Sequence, residues 1–230
     1  MLHRWRLLTF LHWRYPVDVV QRLLPDGVTV EPYDGSAWVG LIPFLMDDVR
    51  PPGLPAAPWL STFPETNVRT YVRGPDGRTG IWFFSLDAAR LPAVLGGRLG
   101  YGLPYFWSAM SVRRGGDDRY VYRCRRRWPG PAGARADATV RVGARLPDAG
   151  IGPLEQFLTA RFRLYGRLAG RLVTAEAAHP PWPLHRAELL DLDQDLVEAA
   201  GLPRPGHEPL VLASPGVAVR IGMWTRAHRR

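Results

Sequence analysis

The sequence predicts an α+β fold, a strongly curved antiparallel β-barrel or cone with peripheral helices. Three observations carry this. Short runs of strand composition follow one another between residues 28 and 145, separated by Gly, Asp and Pro turns. A helical period takes over only in a few brief stretches. Neither an internal repeat nor a long linker interrupts the chain, so residues 1–230 read as one domain.

The elements follow in order. Residues 16–24 read as a short helix closed by Pro25-Asp26-Gly27. Residues 28–33 and 36–46 read as strands joined at Asp34-Gly35, a strong hairpin signal. Residues 51–58 are a proline-rich loop, and 63–73 and 79–87 are strands joined by Gly74-Pro75-Asp76-Gly77. Residues 88–95 read as a helical stretch ahead of Gly96-Gly97, and 106–113, 119–128 and 136–145 as further strands. From Pro153 the period changes: Leu154, Phe157, Leu158, Tyr165, Leu168 and Leu172 share one helical face, which predicts a helix weakened at Gly170. After an extended loop at 179–183 come a strand at 187–192, a short helix at 194–200 and a last strand at 217–224.

Composition removes several chemistries. All 30 basic residues are arginine, where a chain of this size ordinarily carries roughly a dozen lysines. A lysine Schiff base, a lysine general base and the lysine of a phosphate-binding loop are therefore excluded. Arginine stays protonated and does not replace them. The single cysteine, Cys124, excludes an intramolecular disulfide and a cysteine-based zinc cluster, and reads as a small buried hydrophobe. Arg4, Arg6 and Arg14 interrupt the first apolar residues, so a signal peptide is not expected. No apolar run reaches membrane-spanning length, so the expected setting is the cytoplasm, without a membrane partner.

One strand has unusual polarity. Between residues 63 and 73, period two places Phe63, Glu65, Asn67, Arg69 and Tyr71 on one face and Thr66, Val68, Thr70 and Val72 on the other. A solvated outer face is one reading of this spacing. The other is the lining of a cavity, where a carboxylate, an amide and a guanidinium converge on a small polar ligand. Glycine density is the second unusual feature, at Gly96-Gly97-Arg98-Leu99-Gly100-Tyr101-Gly102-Leu103-Pro104. Its spacing fits no nucleotide-binding loop.

These residues resemble the acetoacetate decarboxylase superfamily. The shared order is Leu86-Asp87, Pro92, Gly96-Gly97-Arg98 and Tyr101-Gly102-Leu103-Pro104, with Phe63-Pro64-Glu65 matching an upstream aromatic-x-Glu strand. More closely, the chain resembles the YqjF-like branch of bacterial proteins. That branch shares Phe63, Glu65, Asn67, Arg69 and Tyr71, as well as Ala37-Trp38-Val39, Phe157-Leu158-Thr159 with Arg161, Trp182-Pro183-Leu184 and Ser214-Pro215-Gly216-Val217. The resemblance implies a ligand cavity inside a curved sheet. The decarboxylase pattern then has two lysines, the first the Schiff-base nucleophile; here Tyr105 and Phe106 stand at those positions. Decarboxylation through an iminium is thus excluded for this chain unless an external amine supplies it, and the resemblance carries the fold rather than the reaction.

The expected function is acid–base chemistry on a small carboxylate, keto or β-dicarbonyl compound, without a cofactor. Glu65 is the expected general acid or base with a raised pKa, and Tyr105 the expected catalytic partner. Arg69 would clamp an anionic group, with Asn67, Tyr71, Arg98, Tyr101 and Phe106 as further substrate-binding residues. A binding or sensing module that has lost the chemistry is the alternative. The net charge of +9 raises nucleic acid as a partner. Its best argument is Arg119, Arg123, Arg125 and Arg127 on one strand face, with Tyr120, Tyr122, Cys124 and Trp128 inward. No nucleic-acid motif supports it, and a solvated outer face accounts for the same pattern. The six histidines, His3, His12, His179, His185, His207 and His228, show no metal-ligand spacing, so no metal is expected. Asp191, Asp193 and Asp195 lack the glycine and glutamate of a calcium loop. The sequence leaves oligomeric state open, a homo-oligomer included.

Overall fold

The computed structural model describes residues 1–227, so His228 lies outside the described residues. The chain opens with β1 (Leu2–Tyr15), a short helix α1 (Val17–Gln21) and β2 (Thr29–Val30). Four strands and a helix follow: β3 (Ala37–Arg50), β4 (Phe63–Arg73), β5 (Thr79–Ala88), α2 (Leu91–Tyr101) and β6 (Tyr105–Arg114). The second half holds β7 (Arg119–Trp128), β8 (Ala136–Arg145), α3 (Pro153–Thr159), β9 (Arg163–Leu168) and β10 (Arg171–Ala178). It continues with β11 (His185–Gln194), α4 (Leu196–Ala199), β12 (Leu210–Ile221) and β13 (Thr225–Arg226).

The strands form one 13-stranded, curved sheet in the order β13-β10-β9-β5-β6-β7-β8-β11-β12-β1-β3-β4-β2. Additional β4–β5 and β10–β12 pairings curl the sheet back on itself. Most pairs are antiparallel, but β5 runs parallel to both β6 and β9, which the succession of hairpins did not predict. The β5–β6 pair is parallel because α2 is a crossover between them. The register sets Leu86 opposite Tyr105 and Asp87 opposite Phe106.

β1 was not read from sequence, although its pattern is legible: Arg4 and Arg6 alternate with His3 and Trp5. β3 has a near-continuous apolar run because both of its faces are covered. Ile42, Phe44 and Met46 belong to the core around the cavity, Val39 and Leu41 to a second core with Trp13, Val68 and Tyr122.

The long helix expected from Pro153 is corrected. α3 ends at Thr159, and β9 and β10 form a hairpin instead. Ala169 and Gly170 at its tip both have positive φ, 48° and 75°, the backbone of a tight two-residue hairpin loop. Tyr165, Leu168 and Leu172 fit helical spacing only because the hairpin buries residues on both sides of that tip. α2 is longer than expected and continues through Gly96-Gly97. It stops at Gly102, whose φ of 61° is the left-handed C-cap conformation. A Cβ there would lie 2.1 Å from the Arg167 carbonyl oxygen, so only glycine fits. Among the described residues no helix is long and apolar enough to cross a membrane.

On β7, Tyr120, Tyr122 and Cys124 point inward as expected. Trp128 does not: it is 47% exposed, and Arg126 is buried in its neighbourhood. Arg126 continues the inward alternation of Tyr120, Tyr122 and Cys124, and a register break against β6 between Ser108/Arg126 and Trp107/Trp128 turns Trp128 outward. Arg123 and Arg141 on the outer face are ion-paired with Asp137 and Glu188, at 2.9 and 2.6 Å.

Candidate active site

β4 brings the site together. Phe63, Glu65 and Asn67 line a cavity of about 310 Å³. β1 adds His3 and Trp5, and β3 adds Met46. α2 covers it with Pro92, Ala93, Gly96, Gly97 and Tyr101, and Tyr105 enters from the start of β6. The walls are otherwise mostly apolar, with Phe83, Leu86, Leu103, Leu164 and Ile221.

Glu65 is 2% exposed, and its Oε2 accepts a hydrogen bond from the Tyr105 hydroxyl at 3.1 Å. Burial pushes the carboxyl up to about 8; the hydrogen bond from Tyr105 opposes this, the charge of Asp87 adds to it, and a hydrogen bond from Asn67 opposes it. Near neutrality Glu65 is therefore mainly an uncharged carboxylic acid, with a proton to give. Burial and the neighbouring Glu65 hold the Tyr105 phenol well above its ordinary value, so it stays a donor. Asn67, the only asparagine in the chain, leaves its Oδ1 unpartnered.

Of the expected site residues, Glu65, Asn67, Tyr101 and Tyr105 meet at this cavity. Arg69, Tyr71, Arg98 and Phe106 do not line it. Arg69 and Tyr71 keep the interior face of β4, but the space beyond Asn67 is filled by Phe10 and by α3. The Arg69 guanidinium lies 5.6 Å from the Phe10 ring centre, and its Nη2 donates to the Leu158 carbonyl at 3.4 Å. The Tyr71 hydroxyl donates to that same carbonyl at 2.6 Å. The two side chains thus serve the carbonyl end of α3, where a cation is favourable. Since the Tyr71 proton goes to Leu158, the 2.6 Å contact with His12 Nε2 has His12 as donor. Arg98 donates to the Tyr105 carbonyl at 2.7 Å, fixing the start of β6 from outside.

Phe106 points the opposite way from Tyr105, as alternation requires. Its ring centre is 3.6 Å from the Arg126 guanidinium carbon. Arg126 makes a bidentate pair with Asp87, at 2.9 and 2.6 Å, and Ser108 adds a 2.7 Å bond to the same carboxylate. Both side chains of the pair are fully buried. This cluster behind the cavity wall was not found from sequence. The Leu86-Asp87 motif was its available signal.

Residues 3–218 match the DUF2071 family, described as uncharacterized conserved proteins. The chain belongs to that family. A relative with 34% identity over 211 residues is "Uncharacterized protein YqjF" of Bacillus subtilis (strain 168), the match covering 92% of this chain and 86% of the relative. Among solved structures, the DUF2071 chain is similar to an acetoacetate decarboxylase from Legionella pneumophila, with TM-score 0.69, 14% identity, and 100% and 89% of the two chains covered. It is also similar to an acetoacetate decarboxylase-like enzyme from Sphingomonas wittichii RW1, with TM-score 0.67, 18% identity, and coverage of 99% and 92%. The enduracididine biosynthesis enzyme MppR complexed with pyruvate matches at TM-score 0.68 and 13% identity, over 99% and 90%. The fold expected from sequence is therefore that of the acetoacetate decarboxylase-like proteins.

In this DUF2071 chain the glycines of α2 have a local purpose at Gly97. A Cβ there would lie 2.3 Å from Cδ2 of Tyr105, so the missing side chain is what lets the phenol reach Glu65. Gly97→Ala is expected to displace Tyr105 and destabilise the protein by about 1–3 kcal/mol. Because the Tyr105 hydrogen bond lowers the Glu65 pKa, its loss raises that value further above about 8. A carbon-13 NMR titration of Glu65 in the variant measures the shift, and an unchanged midpoint would show that Tyr105 had not moved.

Proposed function

We propose that this chain is an enzyme that moves protons on a small, uncharged ketone or β-dicarbonyl compound. The observation that carries the reading is the Glu65–Tyr105 pair, buried at the end of an apolar cavity with no arginine or lysine among its lining residues. Among the described residues that line it, the one cation is the N-terminus of Met1, which already donates to the Ile221 carbonyl at 2.9 Å. No charged side chain is there to pair with a carboxylate ligand, which favours the uncharged members of the substrate classes expected from sequence. MppR, on a similar fold, is described with pyruvate, and that supports a small carbonyl compound as the ligand type.

The chemistry needs no iminium. Glu65 in its carboxylate form takes the proton from the carbon beside the carbonyl. The C–H electron pair becomes the C=C bond of an enolate. The Tyr105 O–H donates to the enolate oxygen, and protonated Glu65 returns the proton to carbon or oxygen. A group titrating near 8 is suited to both directions of this transfer at neutral pH.

Deuterium exchange at the α-carbons of 2-heptanone, followed by NMR in D2O, tests the reading. Wild-type protein is expected to accelerate exchange, with a rate that rises with pH and levels above about 8, as Glu65 becomes a carboxylate. Glu65→Gln should lower the catalysed rate by roughly 10²–10⁴. Tyr105→Phe should lower it by about a hundredfold. Binding without exchange in the wild type would leave a ligand-binding module, the reading its mostly apolar walls also suit.

A further inference from the structure

Among the described residues, ten buried side-chain nitrogen or oxygen atoms have no hydrogen-bond partner. Five of these ten belong to residues that line the one cavity already described: both ring nitrogens of His3, Nε1 of Trp5, Nε1 of Trp224 and Oδ1 of Asn67. Asn67 belongs with Glu65. The other four atoms lie elsewhere on the wall. His3 and Trp5 share the inward face of β1, and Trp224 follows β12, the strand paired with β1.

The sheet register separates the two groups. Trp5 stands opposite Met46 of β3, and Met46 opposite Phe63 of β4. Trp5 is thus two strands, about 10 Å of backbone spacing, from the strand that carries Glu65. The indole of Trp5 is held by packing, with ring centres 5.4 Å from Phe44 and 6.0 Å from Trp182. Trp224 packs against Tyr101 at 6.2 Å. Indole nitrogens only donate, and buried donors ordinarily find acceptors. Among the described residues no acceptor meets them.

We propose that Trp5, Trp224 and His3 form a second polar subsite of the cavity, which takes a neutral oxygen acceptor of the substrate. The substrate class is then a molecule with two carbonyl functions joined by a short apolar spacer, a diketone, keto ester or keto lactone. One oxygen meets the Tyr105 hydroxyl beside Glu65, the other the indole N–H groups of the far wall. This rests on the reading that the cavity holds an uncharged carbonyl compound, and it adds the second function.

The test compares 2,4-pentanedione, 2,5-hexanedione and 2,6-heptanedione with the monoketone 2-heptanone. Binding is followed by the indole N–H signals of protein labelled with nitrogen-15 tryptophan, assigned with Trp5→Phe and Trp224→Phe. At least one diketone is expected to bind about fivefold tighter or more than 2-heptanone, and to shift the Trp5 and Trp224 signals. Each Trp→Phe variant should lose that advantage, read as the ratio of diketone to 2-heptanone affinity within the same variant. A variant that fails to fold is replaced by its Trp→Leu counterpart, which likewise lacks the ring N–H. Equal binding of diketones and monoketone, or an advantage that survives both substitutions, overturns the second subsite. In that case Glu65-dependent binding of 2-heptanone still upholds the first reading. Diketone binding that shifts both indoles but ignores Glu65→Gln upholds the subsite and removes Glu65. No binding of any of the four overturns both.

Discussion

Breaking the buried Asp87–Arg126 pair from one side, with Asp87→Asn or Arg126→Met, is expected to lower the unfolding free energy by about 3–5 kcal/mol. Both side chains are fully buried, and each would be left as a charge or dipole without its partner. The pair is bidentate, Ser108 supports it and the Phe106 ring covers it, so no water route compensates. The double variant Asp87→Leu/Arg126→Met, which removes both charges, should recover most of that loss. Urea denaturation of the three variants measures this. Additive losses in the double variant would contradict the picture of two charges that need only each other. The two single variants also separate in their effect on the site. The charge of Asp87 raises the Glu65 pKa, so Asp87→Asn lowers it from about 8, while Arg126→Met leaves Asp87 uncompensated and raises it.

The second large effect is the pH dependence of stability. The Glu65 carboxyl has an ordinary value of 4.5 in the unfolded chain and sits at about 8 in the fold. Between these pH values the folded state holds one proton more than the unfolded state, so stability falls as pH rises. The contribution is fully present below 4.5 and is lost through about 8. Its size is about 4–5 kcal/mol, because the group is almost completely buried. Two histidines act on the opposite side. Burial, then the positive N-terminus, lowers His3 to about 4, and burial, then Arg69, holds His12 well below 6.5. Both stay neutral in the fold and charge in the unfolded chain, so their stability is lost as pH falls from 6.5. Glu65→Gln has no proton to lose. It should remove the decline between pH 5 and 8 and leave the acid limb in place, as thermal denaturation across pH would show. A wild-type profile whose slope Glu65→Gln does not change would mean that Glu65 is already ionised in the fold.

Much of the site was legible, for reasons that can be traced to particular residues. Strict period-two alternation put Glu65 and Asn67 on one face with Phe63, and the structure turns that face to the cavity. Alternation does not say how far along a strand a cavity runs. Arg69 shares the face but meets Phe10 and the end of α3, because a seven-residue helix and Trp182 fill that end. The resemblance placed Tyr105 and Phe106 together as substitutes for two lysines. Neighbours on a strand point to opposite sides, so one enters the cavity and the other packs on Arg126. Arg126 was hidden in the run Arg125-Arg126-Arg127, although alternation with the inward Tyr120, Tyr122 and Cys124 already marks it as the buried one. Trp5 and Trp224 lie more than two hundred positions apart in the chain and line one cavity only in the fold. A pattern within one segment does not hold that information.

The central claim is that Glu65 is a neutral carboxylic acid in a cavity that no arginine or lysine lines among the described residues. Carbon-13 NMR of protein labelled at the glutamate carboxyl carbon, with the Glu65 signal assigned by its absence in Glu65→Gln, measures this directly. The expected titration midpoint is about 8, far above the ordinary 4.5. A Glu65 signal that titrates between pH 4 and 5 would contradict the account, since the pair would then be a solvated carboxylate beside a phenol with no proton to transfer.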